Sequence, residues 1–388
     1  MPPNPPETAP GFWRCRACGT PNPRAGYLTK CLGCGRPIPP ESPEIAREIS
    51  EPAGGAEEVP IRGRRTLALA AIFGLLVLVS VALIRTAALG WWAVAVLVFM
   101  PRWLFLAPLI PLAVFAVRAR RRMVWALVGA DLLLIVGPLM GFTLPLGRPV
   151  ATPPAGAKVR IMTFNRGGVR LDAPALVRYL DRHKVDVVCF QEPGNDRGLD
   201  ESLAEHGWHL DRAGRIASRF PIVGDLGRST DVNESDFRYT MTLFRARLRH
   251  PDGFEFLVGS AHLPTPRWGL ARLFAGDLRA FRLNLAWWDR EADRLLRTID
   301  EAGETPVLVA GDFNMPSDYS TMAAIRSRYP SAFEHAGWGF GYTRPTALPW
   351  VRIDHVLGSR DWSFARCWIG PDLGSDHLPL VAEAVLGR

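Results

Sequence analysis

PVLVAGDFN, residues 306–314, is a short apolar run that stops abruptly at a polar tetrapeptide. Pro306 to Ala310 has the length and composition of a buried strand. If the chain stays extended, Asp312 and Asn314 point to the same side. Side chains at the C-terminal end of a strand are well placed to build a site. A carboxylate and an amide set there together suggest polar chemistry at one end of a buried sheet.

The same pattern recurs on both sides of this stretch. Asn165 ends IMTFN, Gln191-Glu192 ends VDVVCFQE, and His262 lies at the end of LVGSAHL. Asp354-His355 lies in RIDHV and Asp376-His377 in GSDHLP. Between the strand-like runs, APALVRYLDRH and NLAWWDREADRLLRTIDE have helical periodicity, the second with Leu285, Ala292, Leu295, Leu296 and Ile299 on one face. Residues 158–388 therefore read as one α/β domain large enough for a sizeable core. One Asp or Asn after a strand is ordinarily a turn residue. Six strand ends that all carry metal- and phosphate-type groups indicate a site. Glu192 is a hard oxygen ligand suited to Mg2+ or Mn2+. His377 can exchange protons near neutral pH if a carboxylate such as Asp354 orients its ring. His355 reads as structural.

In order, TFN, QE, HLP, GDFN, RIDHV and GSDHLP resemble the motifs of the endonuclease/exonuclease/phosphatase superfamily, from about Val159 onward. The resemblance implies a four-layer α/β sandwich with the site at one end of two packed sheets. It implies a phosphoric ester hydrolase with Glu192 as divalent-metal ligand, Asn165 beside it and Asp376 supporting the metal side. It further implies that Asp312 orients or deprotonates the attacking water and that Asn314 holds a phosphate oxygen. His377 contacts the scissile phosphate as base or stabiliser, held by Asp354, and His262 acts on the leaving group. SRFPI (Ser218 to Ile222) is family-like scaffolding. Cys189 and Cys367 fit either a disulfide or two buried thiols.

The domain's neighbours suggest where it works. From Met1 to Gly156 there are 16 Lys+Arg and 8 Asp+Glu; from Ala157 to Arg388 there are 30 of each. A neutral domain lowers the expectation of a nucleic-acid groove. The basic excess instead flanks apolar runs. Three transmembrane helices are expected within residues 66–144, at about 67–84, 93–117 and 123–144. Arg62, Arg64 and Arg65 precede the first, and Arg118 to Arg122 separate the last two. With three crossings both clusters face the cytoplasm. The expected protein is multi-pass in the plasma (inner) membrane, with its N-terminus cytoplasmic and its catalytic domain outside. Asp131 should find a partner within the bundle, Arg102 or Arg85. A Pro/Gly tether at 145–157 would keep the domain near the bilayer, with Asp318 exposed on it.

Ahead of the spans, 1–10 reads as disordered and 40–65 as a linker. Between them, 11–39 carries Cys15, Cys18, Cys31 and Cys34 as two CxxC pairs, spaced to hold one structural Zn2+. Trp13, Asn22 and these cysteines resemble a RanBP2-type zinc finger, though with a longer gap before Cys31; its partner is unspecified. The anchored architecture with HLPTPR (His262 to Arg267) resembles teicoplanin-resistance-type phosphatases, which act on undecaprenyl pyrophosphate at the outer face. The expected substrate is accordingly a lipid phosphate or pyrophosphate. A membrane-anchored nuclease or other phosphodiesterase is the alternative. A non-enzymatic adaptor working through the finger is the third reading. Arg267 to Trp288 suits either an interfacial helix or one packed on the domain's own core.

Overall fold

A computed structural model describes residues 12–15, 17–23, 30–37, 61–86, 91–119, 122–145, 156–192, 197–228 and 242–387. The expected disordered segment, most of the linker and most of the tether lie outside these residues. The chain forms two compact units, Met1–Pro60 and Ile61–Arg388. The first contains a small hairpin, β1 (Phe12–Arg14) against β2 (Pro21–Pro23).

The second unit opens with α1 (Ile61–Thr86), α2 (Trp92–Phe99), a 3-10 turn (Arg102–Leu106), α3 (Leu109–Ala119) and α4 (Arg122–Leu134), which ends in a π-helical turn (Ile135–Leu139). Residues 61–65, expected in the linker, are the first turns of α1. Among the described residues, two segments are long and apolar enough to cross a membrane, Arg64–Thr86 and Arg122–Leu139. The middle zone is not the straight span expected over 93–117. It bends by 89° between Trp92–Phe99 and Arg102–Arg118, and makes a third candidate crossing only if the bent pair is one span. Pro101 is the cause: it lacks an N–H and forces Met100 to an extended conformation (φ −72°, ψ 153°). Arg102 then donates to the Leu139 carbonyl at 2.8 Å, and Arg85 to that of Pro138 at 3.4 Å. Neither arginine reaches Asp131. That carboxylate lies about 12 Å further along α4, at 1.5 Å per residue. It packs against Gly74, where an added Cβ would sit 2.4 Å from Oδ1.

The remaining elements build two sheets. In chain order they are β3 (Ala157–Asn165), α5 (Ala173–Arg182), β4 (Val187–Gln191), α6 (Arg197–Glu205), β5 (His209–Leu210), β6 (Ile216–Ser218), β7 (Ile222–Arg228), β8 (Thr242–Arg249) and β9 (Glu255–His262). Then follow α7 (Arg267–Phe274), α8 (Leu278–Asp300), β10 (Val307–Asp312), α9 (Ser320–Arg328), α10 (Ala332–Ala336), β11 (Asp354–Gly358), β12 (Trp362–Ile369) and β13 (Leu380–Leu386). One sheet runs β11-β10-β9-β8-β7, the other β12-β13-β3-β4-β6-β5.

The apolar run of β10 is buried on both faces because it lies inside a layered stack. Leu308 and Ala310 face the other sheet, in a core with Ile161, Cys189 and Val258. Val307 and Val309 face the opposite way, onto Leu285, Trp288, Leu295 and Met322 of α8 and α9. On the far side, Met162, Phe164 and Phe190 pack against Leu176 and Leu180 of α5 and Leu199 of α6. The order helix, sheet, sheet, helix is the four-layer sandwich. The face predicted for α8 is the buried one. Cys189 and Cys367 are buried free thiols.

The domain is not merely tethered to the apolar helices. Both belong to one apolar cluster, in which Phe99 meets Trp288 with ring centroids 5.5 Å apart. The Tyr342 hydroxyl donates to the Met140 carbonyl at 2.8 Å. Asp318, expected to be exposed, forms a two-pronged ion pair with the buried Arg102, at 2.6 and 3.0 Å. A turn carboxylate reads as solvated in sequence, but here it receives an arginine from the helix bundle.

Candidate active site

Strand register sets most of the site. In the five-stranded sheet Asp312 lies opposite His262 on one side and Asp354 on the other. In the six-stranded sheet Asn165 pairs with Gln191, which places Glu192 at the adjoining turn. Gly311 is required by the close approach of β9: an added Cβ would sit 1.9 Å from the Ala261 carbonyl oxygen. Glu192 and Asn314 have positive φ, 46° and 53°. Asn tolerates this conformation, whereas for Glu it costs about 1 kcal/mol or more. The Glu192 carbonyl accepts from Gly168 at 3.0 Å, which ties its turn to the one after β3.

The side chains converge across the two sheets. Asn165 Nδ2 donates to Asp312 Oδ2 at 2.9 Å and Glu192 Oε1 at 3.2 Å, while its Oδ1 accepts from Gly167 N. Asp312 Oδ1 accepts from Asn314 N at 2.8 Å, and Asn314 Nδ2 donates to the Leu263 carbonyl. His262 Nε2 stands 3.5 Å from Glu192 Oε1 and 3.8 Å from Asp312 Oδ2. Ligand atoms of Glu192, His262 and Asp312 lie within 4.8 Å of one another. The carboxylates are hard oxygen donors of the kind that hold Mg2+ or Mn2+.

His377 approaches from the loop before β13. Its Nδ1 is 2.9 Å from Asp354 Oδ2, which turns Nε2 toward Asp312, 3.7 Å away. Ser375 braces the loop by donating to the Asn165 carbonyl at 2.7 Å and accepting from His377 N. Burial alone would lower the His377 pKa, but the Asp354 and Asp312 carboxylates overcome it and raise it to about 9. Burial, then the Asp354 charge, lifts Asp312 to about 6. The imidazole is thus a proton donor at neutral pH and Asp312 can accept a proton near it. Asp376, expected to support the metal side, lines the same cleft as Glu192, with Oδ1 3.9 Å from His377 Nε2. It pairs with Arg344 and lies 3.5 Å from Arg267, and against its partial burial Arg344 holds it below the usual carboxylate range. His355 is fully buried and hydrogen-bonds the Met315 carbonyl at 2.8 Å, away from the cleft.

Glu192, His262, Asp312, Asn314, Asp376 and His377 line a cleft of about 510 Å³. Its walls add residues that sequence reasoning missed: Arg215, Thr242, Arg344 and Gly167. Thr242 lies in register with His262, a placement visible only once strands are paired. Arg215 and Arg344 sit in irregular segments with no motif around them.

In the first unit, Cys15, Cys18, Cys31 and Cys34 bring their sulfurs within 4.8 Å of one another. The Cys15–Cys34 and Cys18–Cys31 separations are 3.8 and 3.7 Å. A tetrahedron with Zn–S bonds of about 2.3 Å has edges of about 3.8 Å, so the four thiols fit a zinc ion. Asn22 steadies the group, donating to Cys31 Sγ at 3.4 Å and accepting from Leu32 N at 2.7 Å.

Among solved structures, the chain is similar to an endonuclease/exonuclease/phosphatase family protein from Bacteroides thetaiotaomicron, with 17% identity, TM-score 0.45 and coverage of 61% of this chain and 100% of that one. It is similar to a mannosyl-6-phosphatase from the same species, with 17% identity, TM-score 0.46 and coverage of 59% and 100%. It is also similar to an AP endonuclease from Archaeoglobus fulgidus, with 19% identity, TM-score 0.40 and coverage of 59% and 100%. No curated protein matches the chain in sequence. The sequence matches the Endonuclease/Exonuclease/phosphatase family over residues 162–377, a range that takes in every one of the cleft's acidic and histidine side chains. The chain is therefore an enzyme of the phosphoric ester hydrolase type and belongs to the endonuclease/exonuclease/phosphatase family.

Proposed function

We propose that this protein is a membrane-anchored hydrolase that requires a divalent cation, faces outside the cytoplasm and cleaves a lipid phosphate or pyrophosphate. The observation that carries this reading is the catalytic domain's direct packing onto apolar, membrane-type helices through Arg102–Asp318 and Phe99–Trp288. A substrate borne by the bilayer is the one such an enzyme can reach without leaving it.

Glu192, with Asn165 beside it, would hold Mg2+ or Mn2+, which when bound would supply charge neutralisation at the phosphoryl oxygens. The chain's own groups account for proton movement. Asp312 takes the proton of the attacking water, Asn314 fixes a phosphoryl oxygen, and His377 donates from Nε2 to the charge that develops on phosphorus-bound oxygen. His262 stands on the Glu192 side, where a leaving group can take its proton. Arg344 and Arg267, grouped around Asp376, favour an anionic substrate.

The charges support this topology. Arg64, Arg65, Arg118 and Arg122 lie at one end of the candidate spans, whereas Arg85 and Arg102 meet the carbonyls of Pro138 and Leu139 at the other. With the more basic end in the cytoplasm, the finger lies inside and the cleft outside. On this reading the bent pair Trp92–Phe99 and Arg102–Arg118 makes one middle crossing, which brings the spans to three. The finger's thiolates would hold Zn2+ in a reducing compartment, where its partner would also lie.

The test is phosphate release by the purified full chain in lipid nanodiscs. A prenyl pyrophosphate, a lipid monophosphate and single- and double-stranded nucleic acid are compared, with Mg2+ and with chelator. Release from the lipid substrates that stops with chelator is expected. Nucleic-acid cleavage with no lipid turnover would make the protein an anchored nuclease, and no metal-dependent turnover of any substrate would favour the adaptor reading.

A further inference from the structure

The Arg267 to Trp288 stretch is two helices. Gly276 at φ +83° and the Asp277 N-cap, whose carboxylate accepts from Ala280 N at 2.9 Å, turn the chain between α7 and α8. The helices meet closely, since an added Cβ on Gly269 would lie 2.4 Å from Asn284 Oδ1. Phe281, Leu285 and Trp288 are buried, as a helix packed on its own core requires. That packing does not cover the tip. Phe274 is 81% exposed and Leu283 53%, with Trp268 and Leu278 each at 41%. Exposed Arg279 and Arg282 stand beside them.

We infer that the tip of the α7–α8 hairpin is seated in the outer bilayer interface, so that the catalytic cleft opens at the level of the lipid headgroups. Two placements commit this apolar face to a lipid surface rather than to a protein. First, α8 packs against the apolar helices. Its Trp288 lies on Phe99 of α2, and Leu278 is ten residues away, about 15 Å along the helix at 1.5 Å per residue. Second, α7 begins at the cleft, since Arg267 lines it and the exposed Trp268 is the next residue. Large apolar groups interleaved with arginines suit the boundary between acyl chains and phosphates. A substrate phosphate held by its own lipid would then pass from the leaflet to Arg267 without crossing water.

This inference rests on the membrane-anchored reading of the cleft but is tested independently of substrate. A photoreactive benzoylphenylalanine is placed at Phe274, Leu278, Leu78 or Glu201 of the full chain in nanodiscs, and lipid adducts are found by mass spectrometry. Leu78 is exposed on α1 and Glu201 on α6, so they mark lipid and water. Adducts at 274 and 278 comparable to those at 78, with none at 201, are expected. Adducts at 78 alone would overturn the inference even if the enzyme hydrolyses lipid phosphates. In a second arm, Phe274→Asp with Leu278→Asp should raise KM for a long-chain lipid substrate about tenfold while leaving kcat and the turnover of a soluble short-chain phosphoester within twofold. Lipid adducts without any turnover of lipid phosphates would keep the seated hairpin and reject the substrate reading instead.

Discussion

Asp354→Asn removes a charge without removing shape. Asp354 is fully buried, and its Oδ2 lies 2.9 Å from His377 Nδ1. A charge-assisted hydrogen bond of this kind contributes about 1.5–3 kcal/mol, roughly tenfold to a hundredfold in turnover at 1.4 kcal/mol per factor of ten. A second loss comes from protonation. His377 is held at about 9 by Asp354 and Asp312 against burial. Without Asp354 it should fall to the ordinary histidine value of about 6.5 or below, leaving about a tenth or less protonated near pH 7.5. A group whose folded-state pKa is raised acts as a donor up to that pKa, so the alkaline limb of kcat should move from near 9 toward lower pH. We expect kcat near pH 7.5 to fall at least about a hundredfold, with part recovered near pH 6. The assay is phosphate release against pH by wild-type and variant protein of matched thermal stability. A variant with kcat within threefold of wild type and an unmoved alkaline limb would refute the role of the pair.

Glu192→Gln should lose divalent-metal activation, read as loss of a saturable Mg2+ or Mn2+ response; unchanged turnover in chelator would refute the metal assignment. His355 is pushed down to about 3, first by burial and then by Arg352, so its folded-state pKa lies below its unfolded one. It therefore favours the folded state above about pH 6.5 and ceases to as pH falls toward 3, with a slope of up to about 1.4 kcal/mol per pH unit from this group. Denaturant titrations of His355→Gln should show a shallower acid dependence. Arg102→Met leaves Asp318 without its partner in a mostly buried setting, and about 3–5 kcal/mol of stability should go with it, visible as a lower Tm. Wild-type stability in that variant would mean that the ion pair does not fasten the domain to the helices.

How much of this was legible in the sequence depended on whether the physics was local. PVLVAGDFN showed a buried strand and a polar end because both features lie along one segment. The positions of His262, Asp312 and Asp354 followed once three strands were recognised, since each residue ends or begins its strand. The reason Gly311 must be glycine was not legible, because the obstructing carbonyl belongs to β9. Arg215 and Arg344 reach the cleft from segments without periodicity, so nothing local marked them. Pro101 was visible, but prolines are tolerated in membrane helices, and only the packing of Arg102 on Leu139 and Asp318 shows where the bend places the chain. Arg267 to Trp288 read as one helix because its amphipathic pattern runs on, although Gly276-Asp277 carried a helix-stop and helix-start signal.

The most direct measurement combines chemistry with sidedness. Sealed right-side-out membrane vesicles carrying the protein are given a pyrophosphate lipid in the outer leaflet, and phosphate is followed in the external medium with Mg2+ present. The account predicts immediate release that external chelator stops and that Glu192→Gln and His377→Ala both abolish, with no further gain when the vesicles are opened. Release that appears only after opening, or that persists in both variants, would contradict it.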